Sequence, residues 1–149
     1  MVTLMYGKIA AGKTTEAEKI AQKGAVLLSC DELMLTVFTD CLGAKHAETE
    51  RRCMRYLFKT AQKLDQKRMD SVIDAGFWTR EERTEAESFF KAAGIEFKWI
   101  KVEAPEEIRK ARIKERYEQN EKSRNGEFYE RVFAPSPERA AQLDQKFED

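Results

Sequence analysis

Residues 7–14 read Gly-Lys-Ile-Ala-Ala-Gly-Lys-Thr, a full match to the pattern G-x-x-x-x-G-K-[ST], and nothing else in the chain constrains its fold so tightly. The pattern works only in one setting. A strand must deliver the chain into a tight loop, and a helix must begin as the loop ends. The flanks supply both: Val2–Tyr6 is short, apolar and β-prone, and Thr14–Lys23 has helix-forming composition before a stop at Gly24. Two glycines let the backbone curl until its N–H groups converge on an anion, and the helix N-terminus adds its positive end. Gly7, Lys8, Ile9, Ala10, Ala11, Gly12, Lys13, Thr14 and Thr15 are therefore expected to hold the phosphates of a nucleotide. Lys13 should reach the β- and γ-phosphates, and the Thr14 hydroxyl should take a place on Mg²⁺.

The rest of the chain fits one domain around that loop. It has 149 residues, 42% hydrophobic and 36% charged, which is a globular composition with a heavily charged surface. Its formal net charge is zero, so no global field draws it to long nucleic acid or to an anionic membrane. The apolar run before Gly7 is too short for a membrane span or a leader, and no longer run follows. Cys30, Cys41 and Cys53 form no C-x-x-C pair and are odd in number, which points to free thiols in a reducing, cytoplasmic setting. His46 is the only histidine, so a histidine-rich metal site is excluded.

Short apolar runs alternate with helical stretches. Strands are expected at Val2–Tyr6, Ala25–Ser29, Ser71–Asp74 and Ile95–Val102. Helices are expected at Thr14–Lys23, Glu32–Asp40, His46–Met69, Arg80–Ala93, Pro105 to about Gln119, Glu127–Phe133 and Glu138–Phe147. In the long third helix Cys53, Met54, Leu57, Phe58, Ala61 and Leu64 recur at helical spacing. Such alternation specifies an α/β fold, a short and mostly parallel sheet of four to five strands covered on both faces. Ligands of such sheets bind at the carboxyl ends of the strands. The informative positions then lie just after Tyr6, Ser29, Ile73 and Val102.

Three of those positions carry chemistry. Asp74 ends the third strand, where a carboxylate directed at Mg²⁺ belongs; the plainer reading is a turn-forming Asp before Gly76. Asp31 follows the second strand and is placed to accept a proton from an attacking hydroxyl; the plainer reading is a helix cap, with Ser29 and Glu32 able to form a capping box. Arg109, Arg112 and Arg116 share one helix face and suit the charge that develops on a transferred phosphate; the plainer reading is a solvated face paired with Glu115 and Glu118. Between Lys45 and Arg68, eight Lys/Arg stand against three Asp/Glu, but Arg52, Arg55, Lys59 and Lys63 lie opposite the apolar stripe, as a solvated face would. No N-K-x-D guanine motif occurs, and Asp74 is followed by Ala75 rather than a water-activating Glu. Transfer to a hydroxyl is thus favoured over hydrolysis. An ATPase and a non-catalytic, ATP-dependent binding module remain the alternatives.

The run "GKIAAGKTT", Asp31 after the second strand, "VIDAGFWTREER" and "RKARIKER" together resemble the small P-loop kinases, in particular the AAA-type ATP-binding, zeta-toxin-like group. That group includes polynucleotide 5′-hydroxyl kinase and chloramphenicol phosphotransferase. The likeness runs from about Val2 to Phe133. It implies a nucleoside-kinase-like fold with the first strand between the third and fourth, a helical lid at about 105–133, and ATP with Mg²⁺. It implies transfer of the γ-phosphate to a hydroxyl of a small molecule or of a nucleotide or polynucleotide end. Asp31 would be the base, with Arg112 and Arg116 as lid arginines. Arg80 and Arg83 would approach substrate or phosphate.

Overall fold

The computed structural model describes residues 1–38, 42–123 and 134–149. Its elements run β1 (Val2–Tyr6), α1 (Lys13–Ala21), β2 (Val26–Ser29), α2 (Cys30–Val37), α3 (His46–Gln66), β3 (Ser71–Asp74), α4 (Arg80–Ala92), β4 (Phe97–Lys101), α5 (Glu106–Ser123) and α6 (Pro137–Asp144). The expected elements are present with ends moved by one to three residues in most cases. The expected helix at 127–133 lies outside the described residues. So does Asp40, the expected end of the second helix.

The described strands form one sheet in the order β2-β3-β1-β4, parallel throughout. β1 therefore lies between β3 and β4, as the resemblance implies. Each parallel neighbour needs a crossover, and the helices supply it. Val2 pairs in register with Ser71 on one side and Phe97 on the other, and Ser29 is level with Asp74. That register brings the ends of β1, β2 and β3 to one rim.

Alternation along β1 splits its side chains between the two faces of the sheet. Val2 and Leu4 join Ile73, Leu57, Phe58, Ala61, Ala86 and Phe90 in the larger core, under α3 and α4. Met5 and Val72 face Ala17 of α1 in the smaller one. The α3 stripe is real: Leu57, Phe58 and Ala61 are buried, with Cys53 and Met54 packed beside them. Arg52, Arg55, Lys59 and Lys63 are exposed on the opposite face, and Arg55 bonds Glu85 of α4 at 3.2 Å. Phe90 has no exposed surface, and trimming such a ring to alanine costs about 3–5 kcal/mol.

A third cluster concerns the site directly. Ile9 and Ala10 of the Gly7–Thr14 loop are buried against Ile113 of α5 and Ala140 and Leu143 of α6, with Trp78 beside them. Two of the four positions the loop pattern leaves free are thus the ones that anchor it.

Candidate functional site

Each end of the loop needs its glycine for a different reason. A Cβ at Gly7 would lie 2.3 Å from the carbonyl oxygen of Val102, so β4's exit leaves no room for a side chain. Gly12 caps α1 with φ of 104°, a conformation that L-residues rarely adopt. Between them Ala10 also takes a positive φ of 58°. The loop opens over the N-terminus of α1, the geometry a phosphate needs.

Lys13 bends back across this loop and donates to the carbonyl oxygens of Gly7 and Lys8, each at 2.8 Å. Its ammonium is lowered to about 8, first by loss of solvation; Arg116 and Arg109 add to that, and Asp74 and Asp31 oppose it. The Thr14 hydroxyl donates to Asp74 Oδ2 at 2.7 Å, joining residues sixty positions apart. Asp74 is buried at the end of β3, so it is not a turn-forming residue at the surface. A hydroxyl and one carboxylate form a small set of hard oxygen donors beside a phosphate loop. That set fits Mg²⁺, which keeps several waters and takes few protein ligands.

Asp31 lies in the first turn of α2; the residue keeps exposed surface, yet the protein around its carboxylate costs it hydration. It does not cap the helix. Ser29 is the N-cap, and its side chain accepts from the Glu32 N–H at 3.2 Å. Loss of hydration pushes the Asp31 carboxyl up from the usual aspartate range, and the charge of Asp74 pushes it further; Lys13 and His46 draw it down. The carboxylate therefore shares an electrostatic neighbourhood with the loop lysine and with Asp74.

The three arginines of α5 do not act alike. Arg109 is buried, with Nη1 donating to Ile9 O at 3.1 Å and to Asp144 at 3.2 Å, and Nη2 donating to Asp144 at 2.8 Å. It locks α5, α6 and the loop together. Arg112 is exposed and donates to Ala10 O at 3.0 Å. Arg116 is exposed one turn further on, near enough to Lys13 to act on its charge. The face proposed from helical spacing exists, but its first member has been taken into the scaffold.

A family model described as "AAA domain" matches residues 2–134. The chain belongs to that AAA-domain family. Among solved structures, a chain of the Pnkp1/Rnl/Hen1 complex is similar at 18% identity with a TM-score of 0.60, over 70% of this chain and 35% of that one. This AAA domain thus spans about a third of that chain's length. The Mycobacterium tuberculosis APS kinase CysC in complex with AMPPNP and APS is similar at 22% identity and a TM-score of 0.63, over 97% of this chain and 95% of that one. Chaetomium thermophilum Kti12 in complex with ADP-AlF3 is similar at 15% identity and a TM-score of 0.68, over 100% of this chain and 81% of that one. At these identities the likeness establishes the fold, that of the P-loop kinases. No curated protein matches the sequence.

Arg80 and Arg83 of this AAA domain stand at the start of α4, and their side chains donate to main-chain oxygens. The Arg80 Nε donates to Asp149 O at 3.2 Å, and Arg83 Nη2 donates to Glu148 O at 2.7 Å. Several roles in the site carried no sequence signal. Asp144 partners Arg109 across thirty-five positions, and Ile9 and Ala10 matter through packing. His46 looks like an ordinary surface histidine at a helix start, yet its charge reaches Asp31. Only the fold brings these groups near the loop.

Proposed function

We propose that this AAA domain is an ATP-dependent phosphotransferase that moves the γ-phosphate of ATP to a hydroxyl. One observation carries the reading. Thr14 and Asp74 meet at 2.7 Å next to Lys13, while Asp31 follows the end of β2, where Ser29 is level with Asp74. A nucleotide binder needs the first three; a carboxylate on the acceptor side is what transfer adds. The fold shared with APS kinase and with a chain of the Pnkp1/Rnl/Hen1 complex supports a kinase and leaves the acceptor open, from a small molecule to a nucleic-acid end.

In this reading the loop N–H groups and Lys13 bind the β- and γ-phosphates, with Lys13 exchanging its bonds to Gly7 and Lys8 for phosphate oxygens. Thr14 and Asp74 would hold Mg²⁺, which would supply positive charge to the phosphates. Asp31 takes the proton of the attacking hydroxyl. Arg112 leaves Ala10 O and, with Arg116, faces the charge that develops on the phosphate in flight. Phosphoryl transfer asks mostly for positioning and charge neutralisation, which these residues provide.

The test is phosphate transfer from labelled ATP, screened over oligonucleotide ends and small hydroxyl compounds. Asp31→Asn should leave Mg·ATP affinity near wild type and lower single-turnover transfer by about 10² or more. Because Ser29 is the cap, the substitution leaves the α2 cap untouched. Transfer at the wild-type rate would remove Asp31 as the base, and ATP binding with no transfer to any hydroxyl would leave the chain a binding module. Phosphate released only to water would make it an ATPase.

A further inference from the structure

Two buried polar side-chain atoms find no partner among the described residues, Ser71 Oγ and Trp78 Nε1. They sit at opposite ends of β3 and differ in kind. Ser71 opens the strand, at the edge away from the phosphate loop. Its hydroxyl is small and its proton rotates. Trp78 follows the carboxyl end of the strand, on the side where ligands of a parallel sheet bind. An indole N–H can only donate, and its direction is fixed by the ring. A buried donor with nothing to donate to costs free energy, so native structures rarely keep one without a reason.

The backbone before Trp78 is shaped to put the indole there. Phe77 takes a positive φ of 45°, which a bulky residue rarely adopts. With that turn, the Phe77 ring enters the larger core, while the Trp78 ring packs with Ile9 and Ala10 of the phosphate loop and Ile113 of α5. Gly76 makes the room. Its φ is not positive, so the backbone does not call for glycine; but a Cβ there would lie 2.7 Å from Trp78 Nε1 and 2.9 Å from Cε2. The carbonyl of Gly76 in turn accepts from the Gly7 N–H at 3.4 Å, where the loop begins. The nitrogen edge of the indole is therefore laid over the exit of β3, beside the phosphate loop. Strained backbone of this kind gathers at ligand sites.

The ring of loop N–H groups encloses one phosphate, and the terminal phosphate lies beyond it, toward the strand ends where Thr14 meets Asp74. We propose that the Trp78 indole N–H donates to a non-bridging oxygen of the terminal phosphate of ATP, and so lets the site tell a nucleoside triphosphate from a diphosphate. The part of the loop packed with the indole is held by Arg112 through Ala10 O at 3.0 Å. In the phosphotransferase reading Arg112 leaves that oxygen for the phosphate, which frees the loop to let the donor meet its acceptor. The contact rests on the ATP-binding half of that reading and not on transfer to a hydroxyl.

The test is proton–nitrogen NMR of the indole N–H groups in isotope-labelled wild-type protein, whose tryptophans are Trp78 and Trp99. Saturating Mg·AMPPNP should move the Trp78 proton downfield, and Mg·ADP should leave it in place. Trp99 already donates to Glu87 at 3.1 Å and should hold still with both. A Trp78 signal that stays put with Mg·AMPPNP bound, or that moves equally with Mg·ADP, overturns the proposal. Trp78→Phe assigns the signal and keeps an aromatic ring. By calorimetry it should bind Mg·AMPPNP about tenfold more weakly, as for a lost bond to a charged group, and Mg·ADP as wild type does. Equal losses for the two nucleotides make Trp78 a packing residue of the loop and overturn the proposal, as does no loss at all. If Trp78→Phe does not fold, Trp99→Phe assigns the signals and the wild-type comparison decides. Failure of the wild type to bind either nucleotide removes the phosphate-loop assignment and this inference together. A triphosphate-specific shift without transfer to any hydroxyl keeps the inference and rejects the phosphotransferase reading, and transfer with the Trp78 signal unmoved does the reverse.

Discussion

Two sets of arginines donate to main-chain oxygens, and the fold uses them for different tasks. Arg109 and Arg112 of α5 donate to carbonyl oxygens of the phosphate loop, Ile9 and Ala10. Arg80 and Arg83 of α4 donate to the tail at Glu148 and Asp149. The first set stiffens the element that holds phosphate. The second set ties the start of α4 to main-chain oxygens of Glu148 and Asp149. The difference follows from the partners. The carbonyls of Ile9 and Ala10 belong to the buried phosphate loop, whereas Glu148 and Asp149 are exposed. Burial grades the α5 set as well: Arg109 sits in a nearly dry ion pair, while Arg112 and Arg116 stay open to water.

The widest consequence should appear in turnover. If Arg112 acts on developing charge, Arg112→Ala should lower turnover by roughly 10²–10³ while Mg·ATP affinity changes only a few-fold. Single-turnover kinetics beside calorimetry separates the two, and a loss confined to affinity would make Arg112 a second Arg109.

Arg109→Ala should act on stability instead. It leaves Asp144 without its cation and frees Ile9 O, so about 3 kcal/mol should be lost, read from the denaturant midpoint. A variant as stable as wild type would erase the distinction within α5.

A pH profile sharpens the same contrast. With Lys13 lowered to about 8, the ligand-free ammonium loses its proton above that pH, whereas phosphate favours keeping it. Mg·ATP affinity should be flat below about pH 8 and fall as pH rises beyond it, by up to tenfold per unit. Arg116→Gln removes a positive neighbour of Lys13 and should move the break upward. Calorimetric titrations in two buffers would show proton uptake on binding, and a profile flat across the range would reject the assignment.

The smallest effect belongs to α4. Arg80→Ala should change stability by no more than about 0.5 kcal/mol, because its side chain serves only exposed contacts. A thermal melt showing a much larger loss would mean the tail is a structural staple.

Much of this was readable from the chain alone. The phosphate loop is a local pattern whose chemistry resides in consecutive backbone groups, so its position between Tyr6 and Lys13 needed no tertiary knowledge. The α3 stripe and the strand at Ser71–Asp74 were legible for the same reason: periodicity is a property of neighbours in sequence. The cap of α2 was only half legible, since Ser29 and Asp31 are both good capping residues and backbone geometry chose Ser29.

The sequence by itself determined an α/β domain with a phosphate loop, and it marked Asp31, Asp74 and the α5 arginines as the groups worth locating. Tertiary structure alone decided their partners. Register set Ser29 level with Asp74, and β3 beside β1 brought Asp74 to Thr14. Packing of α6 on the loop turned Arg109 into scaffold and laid the tail across Arg80 and Arg83. Helical spacing can say that three arginines share a face. It cannot say which of them meets a buried carboxylate, because that carboxylate comes from a helix whose position depends on the whole core.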